Sequence, residues 1–166
     1  MATDTHGLTH LDEQQRPAMV DVGDKGVTTR TAIAEAIVTF PEGVLAQLAG
    51  GRGEDRISAK GPVFQTAILA GIQVAKRTSE LIPLCHIIPL EHCSIRIHEQ
   101  DENRLVVRCK VRATHKTGVE MEALTGATAA ALTIYDMCKA LTHGICIEQV
   151  RLLEKTGGKK DFHDRG

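Results

Sequence analysis

The alternation of apolar and polar positions divides the chain into a short series of elements. From Thr31 to Phe40 every second residue (Ala32, Ala34, Ala36, Val38, Phe40) is apolar, the period of a half-buried strand. Pro41 predicts a short helix through Leu48, stopped by Gly50 and Gly51. The segment GGRGEDRISAKG follows as a polar, glycine-rich loop with Lys60 near its end. Gly61-Pro62 marks a helix start, because proline at the first helical position gives up no needed N–H. Phe64, Ile68, Ile72 and Ala75 then recur at helical spacing up to Lys76-Arg77, whose charges suit a helix C-terminus. The stretch LIPLCHIIP, bracketed by Pro83 and Pro89, reads as irregular.

Beyond it, Cys93, Ile95 and Ile97 alternate as a strand, the polar QDEN turns the chain, and Leu105, Val107, Cys109, Val111 and Ala113 line one face of a second strand, a hairpin pattern. Thr117-Gly118-Val119-Glu120 matches a capping box. It predicts a long helix from about Val119 to Leu141, ended by Gly144, before a last strand over Ile145 to Leu153. The order strand, helix, strand, strand, helix, strand predicts an α+β fold of the ferredoxin-like split βαβ kind, an antiparallel sheet packed by two main helices. Such a fold implies no function by itself. Residues 18–160 are expected to form one domain, with loose arms at 1–17 and 161–166.

Composition refines this picture. Among 166 residues there is no Trp, one Tyr and three Phe, so Ala, Ile, Leu and Val must fill the core. A net charge of -1 argues against a nucleic-acid binder, and the scarcity of aromatics removes the stacking platforms that single strands need. No apolar run approaches the ~20 residues that cross a bilayer, so no membrane association is expected. The polar, acid-containing first residues read as neither signal nor transit peptide. Five irregularly spaced cysteines form no disulfide framework, which points to the reducing cytoplasm.

Candidate chemistry concentrates on the long helix. Ala123 to Tyr135 carries no charge, so most of its circumference should be buried in the chain or against another subunit. Asp136 and Lys139 then appear three residues apart, on one face. A surface ion pair worth ~0.5 kcal/mol would be an ordinary explanation. Against that stands the apolar helix before them, because charges at the end of a buried helix are costly unless paired or functional. At the other end Glu120 and Glu122 flank Met121; the capping box accounts for Glu120, but only the helix dipole for Glu122. His86 has apolar company, as a core histidine would. Cys85, His86, His92 and Cys93 resemble a zinc array, yet adjacent ligands converge poorly on one tetrahedral centre, and no metal is expected. No G-x-x-x-x-G-K-[ST] motif is present. Arg30, Lys60, Lys76, Arg77, Lys116 and Lys155 sit at element ends, and Lys155-Thr-Gly-Gly-Lys159 offers amides and ammonium groups to an anion.

The strings MVDVGDKGVTTRTAIAEAIV, KGPVFQTAILAGIQVAKRTSELIPLCH, KTGVEMEALTGATAAALTIYDMCKA and VRLLEKTGGK, between Met19 and Lys159, closely resemble the cyclic pyranopterin monophosphate synthase family of molybdenum cofactor biosynthesis. The resemblance implies a lyase without cofactor. Its substrate is 3′,8-cyclo-7,8-dihydro-GTP, delivered by a radical SAM GTP cyclase, and its products are cyclic pyranopterin monophosphate and pyrophosphate. It also implies a ferredoxin-like fold and a homohexamer, a trimer of dimers with active sites between subunits. Carried over residue by residue, the catalytic pair falls on Asp136 and Lys139. Substrate contacts fall on Leu84, Cys85, His86, Glu120, Met121 and Glu122, with basic positions at Arg30, Lys60 and Lys155. In this scheme Lys139, its pKa lowered by burial or nearby cations, is general acid then base, and Asp136 orients it. The chain departs from the family pattern mainly over Gly43 to Ser58, before Lys60.

Overall fold

The computed structural model describes residue 14 and residues 16–51 and 53–164; most of the arm expected at 1–17 therefore lies outside the described residues. The elements in chain order are β1 (Thr28–Thr39), β2 (Ile57–Ser58), β3 (Gly61–Pro62), α1 (Val63–Ala75), α2 (Thr78–Leu81), β4 (His92–Glu99), β5 (Arg104–His115), α3 (Glu120–Cys138), β6 (Cys146–Thr156) and β7 (Phe162–His163). The main sheet runs β4-β5-β1-β6-β7 with every pairing antiparallel, and β2 pairs with β3 in a separate hairpin. α1 and α3 pack together on one face of the sheet. This is the ferredoxin-like arrangement expected from the element order.

The alternation in β1 and β5 does what its period requires. Ala32, Ala34, Ala36 and Val38 of β1 and Leu105, Val107, Cys109, Val111 and Ala113 of β5 are fully buried under the helices. Because the core is built largely from alanine, the two helices approach closely. A side chain at Gly71 of α1 would lie 2.7 Å from the carbonyl oxygen of Gly126 in α3, so backbone meets backbone at their crossing. On the opposite sheet face Glu35 is buried within β1. Arg108 Nε donates to its Oε2 at 2.7 Å and Arg151 Nη2 to its Oε1 at 3.3 Å, which satisfies the charge that burial would otherwise penalise.

Several expectations are corrected. The helix expected from Pro41 to Leu48 is a single 3-10 turn, Leu45–Gln47. The capping box does not form: Val119 caps α3 without a side-chain hydrogen bond, and the Glu120 carboxylate goes elsewhere. α3 ends at Cys138 rather than Leu141, with Lys139 as its cap. The segment before Pro83 contains the short α2, tied to α1 by Thr78 Oγ1 donating to the Ala75 carbonyl at 2.9 Å. The loop expected before Lys60 closes as the β2–β3 hairpin, with Ala59 and Lys60 as its two-residue turn. At the other end, where a loose tail was expected from 161, β7 pairs with Glu154 and Lys155 of β6.

Candidate active site

α3 carries expected site residues at both of its ends. At its N-terminal end two cavities of about 420 Å³ each adjoin, sharing Lys25, Thr117, Gly118 and Glu120 as walls. Among the described residues, the first is lined by six cations, Lys25, Arg30, Lys116, Lys155, Lys159 and Lys160, against the single carboxylate of Glu120. Lys155 Nζ lies 3.0 Å from Glu120 Oε1. Arg30 is aimed by its own donors: Nε and Nη2 each bond the carbonyls of His115 and Lys116, respectively, at 3.3 Å. Gly157 closes the strand end above them with φ +83°, and a Cβ there would sit 1.9 Å from the Thr29 carbonyl oxygen, so only glycine fits. A cavity walled by cations and glycine backbone is suited to a polyphosphate.

The second cavity gathers Leu84, Cys85, His86, Met121 and Glu122, with Val20 and Val22 from the segment before β1. His86 Nε2 donates to the Val20 carbonyl at 2.8 Å, and Lys116 Nζ to that of Gly23 at 2.6 Å, so two side chains hold this segment over the cavities. Glu122 is buried, and loss of water, with a smaller contribution from the Glu120 charge, pushes its pKa up to about 7. Burial, then the Glu122 charge, raises the Cys85 thiol, which argues against a thiolate there.

At the C-terminal end of α3, Asp136 is bracketed by two ammonium groups. Lys139 Nζ is 2.7 Å from its Oδ1 and Lys60 Nζ 2.6 Å from its Oδ2. Lys60 also donates to the Asp136 carbonyl at 3.0 Å, a terminal helix oxygen that favours a cation. The hydrogen bonds from Lys139 and then Lys60 hold the Asp136 carboxyl down at about 2. The carboxylate in turn raises Lys139, so the lowered lysine pKa expected from sequence is not found. All three side chains are about half exposed in the single chain. Tyr135, half-buried, precedes Asp136 and donates its hydroxyl to the His143 carbonyl at 3.4 Å.

The structure thus brings Arg30, Lys155, Glu120, Met121, Glu122, Leu84, Cys85 and His86 together, and Lys60 with Asp136 and Lys139, but it separates the two groups. With about 1.5 Å of rise per residue, Glu122 and Asp136 lie roughly 20 Å apart along α3. The zinc-like array is dispersed: Cys93 faces the core beside Cys109, while the neighbouring His92 is exposed. Among the described residues no group of three or more His, Cys, Asp or Glu is arranged to hold a metal ion, and no helix is long and apolar enough to cross a membrane. Lys25, which walls both cavities, was not singled out in the sequence; nothing distinguishes its position there from any surface lysine.

A model of the MoaC family matches residues 19–158. A protein of Xanthomonas axonopodis pv. citri (strain 306) named cyclic pyranopterin monophosphate synthase is 54% identical over 155 residues, which cover 93% of this chain and 92% of that protein. A molybdenum cofactor biosynthesis bifunctional protein of Synechocystis sp. is 46% identical over 93% of this chain and 45% of its own length. Molybdenum cofactor biosynthesis protein 1 of Dictyostelium discoideum is 49% identical over 92% of this chain and 26% of its own.

Proposed function

The chain belongs to the MoaC family, and on that premise we propose that it is a cytoplasmic lyase that converts 3′,8-cyclo-7,8-dihydro-GTP to cyclic pyranopterin monophosphate and pyrophosphate. One observation carries the reading: a single helix has a cation-walled, polyphosphate-sized cavity at its N-terminal end and Asp136, gripped by two lysines, at its C-terminal end. Lys155, Arg30, Lys25 and Lys116 neutralise the triphosphate. A sugar hydroxyl attacks the α-phosphorus, the new P–O bond forms as the bond to the β-phosphate breaks, and the same cations stabilise the departing pyrophosphate. Glu122, with a pKa near neutrality, accepts or returns a proton at the N–H groups of the base, assisted by His86. Lys139, protonated in the resting chain because Asp136 favours its ammonium form, serves first as the acid, and Asp136 orients it.

The two groups of residues meet when two copies pair. The outer stripe of α3 runs Met121, Thr125, Thr128, Leu132, Asp136, Lys139, and Leu132 is 56% exposed in its middle. Antiparallel packing of two such stripes, with axes about 8–10 Å apart, sets Asp136 and Lys139 of one copy against Glu120 to Glu122 of the other. This geometry favours dimers with shared sites; the homohexamer, three such dimers, rests on the family resemblance alone. The substrate comes from a radical SAM GTP cyclase; relatives in which this domain is under half of a longer molybdenum cofactor protein favour such a functional link. The test is incubation with enzymatically made cyclic dihydro-GTP, following pyrophosphate and the oxidised, fluorescent pterin. Release of both in equal amounts is expected, and release of neither overturns the reading.

A further inference from the structure

Lys60 reaches Asp136 from 76 residues away in the chain, yet their contact is about half exposed. An ion pair so open to water contributes little and cannot by itself hold a loop in place. Lysine also has four rotatable bonds to immobilise. Something else must fix the turn that presents it. The stretch before Lys60 contains the means.

Arg56 stands at the base of the β2–β3 hairpin and is well shielded from water. Its Nε and Nη2 both reach Glu99 Oε1, at 2.8 and 2.6 Å, at the end of β4, and the two side chains are only 11% and 6% exposed. Its Nη1 donates to the Gly50 carbonyl at 2.6 Å, closing the loop on itself. The backbone is held at the same place: Val63 N donates to the Arg56 carbonyl at 2.7 Å, and Ile57 N to that of Ala49 at 2.8 Å. One residue earlier, Asp55 takes the Phe64 amide on Oδ1 at 2.7 Å and the Gln65 amide on Oδ2 at 3.1 Å, capping α1 from outside the helix. Gly50 makes the close approach possible, at φ +105° with a would-be Cβ 2.2 Å from the Asp55 carbonyl. After Ile57 and Ser58 the chain turns through Ala59 and Lys60, and Ser58 Oγ receives the Lys60 amide at 3.1 Å.

We propose that Arg56 is a positioning residue: through Glu99 it pins the base of the hairpin to β4 and so holds the Lys60 ammonium against Asp136. Arg56 touches none of the three groups and acts only through Lys60. The assignment rests on the reading of Asp136 and Lys139 as the reacting pair.

Its test is a double-mutant comparison. Arg56→Met is expected to lower kcat/KM by roughly tenfold to a hundredfold when Lys60 is present, the usual consequence of misplacing a site group by about 1 Å. In a Lys60→Ala background the same change should cost less than about twofold, since the group it positions is gone. Arg56→Lys, which keeps the charge but not the forked contacts, should recover part of the loss, and it carries the same comparison if the Met variant does not fold. Equal losses in both backgrounds, or no loss with Lys60 present, overturn the proposal. A second measurement needs no turnover. The Asp136 side-chain carboxyl, followed by carbon NMR against pH, should titrate higher in Arg56→Met, toward its value in Lys60→Ala. An unmoved titration also overturns the proposal. A wild-type protein inactive on the substrate would instead sink the proposed reaction and leave this assignment to the titration.

Discussion

At its N-terminal end α3 carries a carboxyl taken out of water; at its C-terminal end it carries one left in it. Glu122 is 4% exposed and its pKa is pushed up to about 7, chiefly by desolvation. Asp136 is half exposed and held at about 2, chiefly by its hydrogen bond to Lys139. The same functional group therefore does two jobs on one helix. Near neutral pH Glu122 exchanges its proton readily, whereas Asp136 stays an anion through the whole physiological range and can only orient its lysines. Environment, rather than residue type, separates the proton carrier from the scaffold.

The largest effect should come from the exposed end. Asp136→Asn and Lys139→Ala are each expected to lower kcat by about 10²–10⁴-fold, the span of lost acid–base catalysis, with the fold and assembly intact by circular dichroism and sedimentation. Co-assembling Asp136→Asn with His86→Ala then probes the separation of the ends. If sites are shared between copies, some sites in the mixture regain both wild-type ends and activity returns; a mixture as inactive as its components would place all the chemistry within one chain. Lys60→Ala, which removes one of the two ammonium grips, should reduce kcat by about 10-fold to 100-fold and raise KM, measured by pyrophosphate release. Gly71→Ala strikes the crossing of α1 and α3 that keeps the two ends in register. The new methyl meets Ile95 Cδ1 and the Gly126 carbonyl, so a loss of about 1–3 kcal/mol is expected in urea unfolding.

The smallest effect is one of pH. Because the folded chain holds the Glu122 proton more tightly than the unfolded chain, the stability this group contributes is whole below its ordinary pKa of 4.5. It is lost as pH rises toward about 7, where the folded chain ionises too. Glu122→Gln should flatten that slope and leave the protein about 1–2 kcal/mol more stable than wild type at pH 8. An unchanged slope would mean that Glu122 ionises in the folded chain as it does in the open one.

Much of this was legible from periodicity, because buried alternation in β1 and β5 and the charge-free run in α3 are patterns the sheet and helix impose directly. The Asp136–Lys139 spacing was legible for the same reason. What escaped was tertiary. The capping-box pattern of Thr117 and Glu120 is locally sound, but the Glu120 carboxylate goes to Lys155 across the site. The two-residue strands β2 and β3 are too short for any period, and they exist because Arg56 and Asp55 tie them down. Lys60 meets Asp136 from the turn of that hairpin, and Lys25 walls the cavities from a segment that His86 and Lys116 bond.

Tyr135 has a practical consequence. The chain has one tyrosine and no tryptophan, and that single phenol adjoins Asp136 in the sequence, half-buried and hydrogen-bonded to a turn. Emission excited at wavelengths that the three phenylalanines do not absorb therefore originates at one ring, near the end of α3 where the lysines converge. Occupancy of that corner, by a ligand or by a second copy, has a built-in optical reporter that needs no dye and no engineered probe.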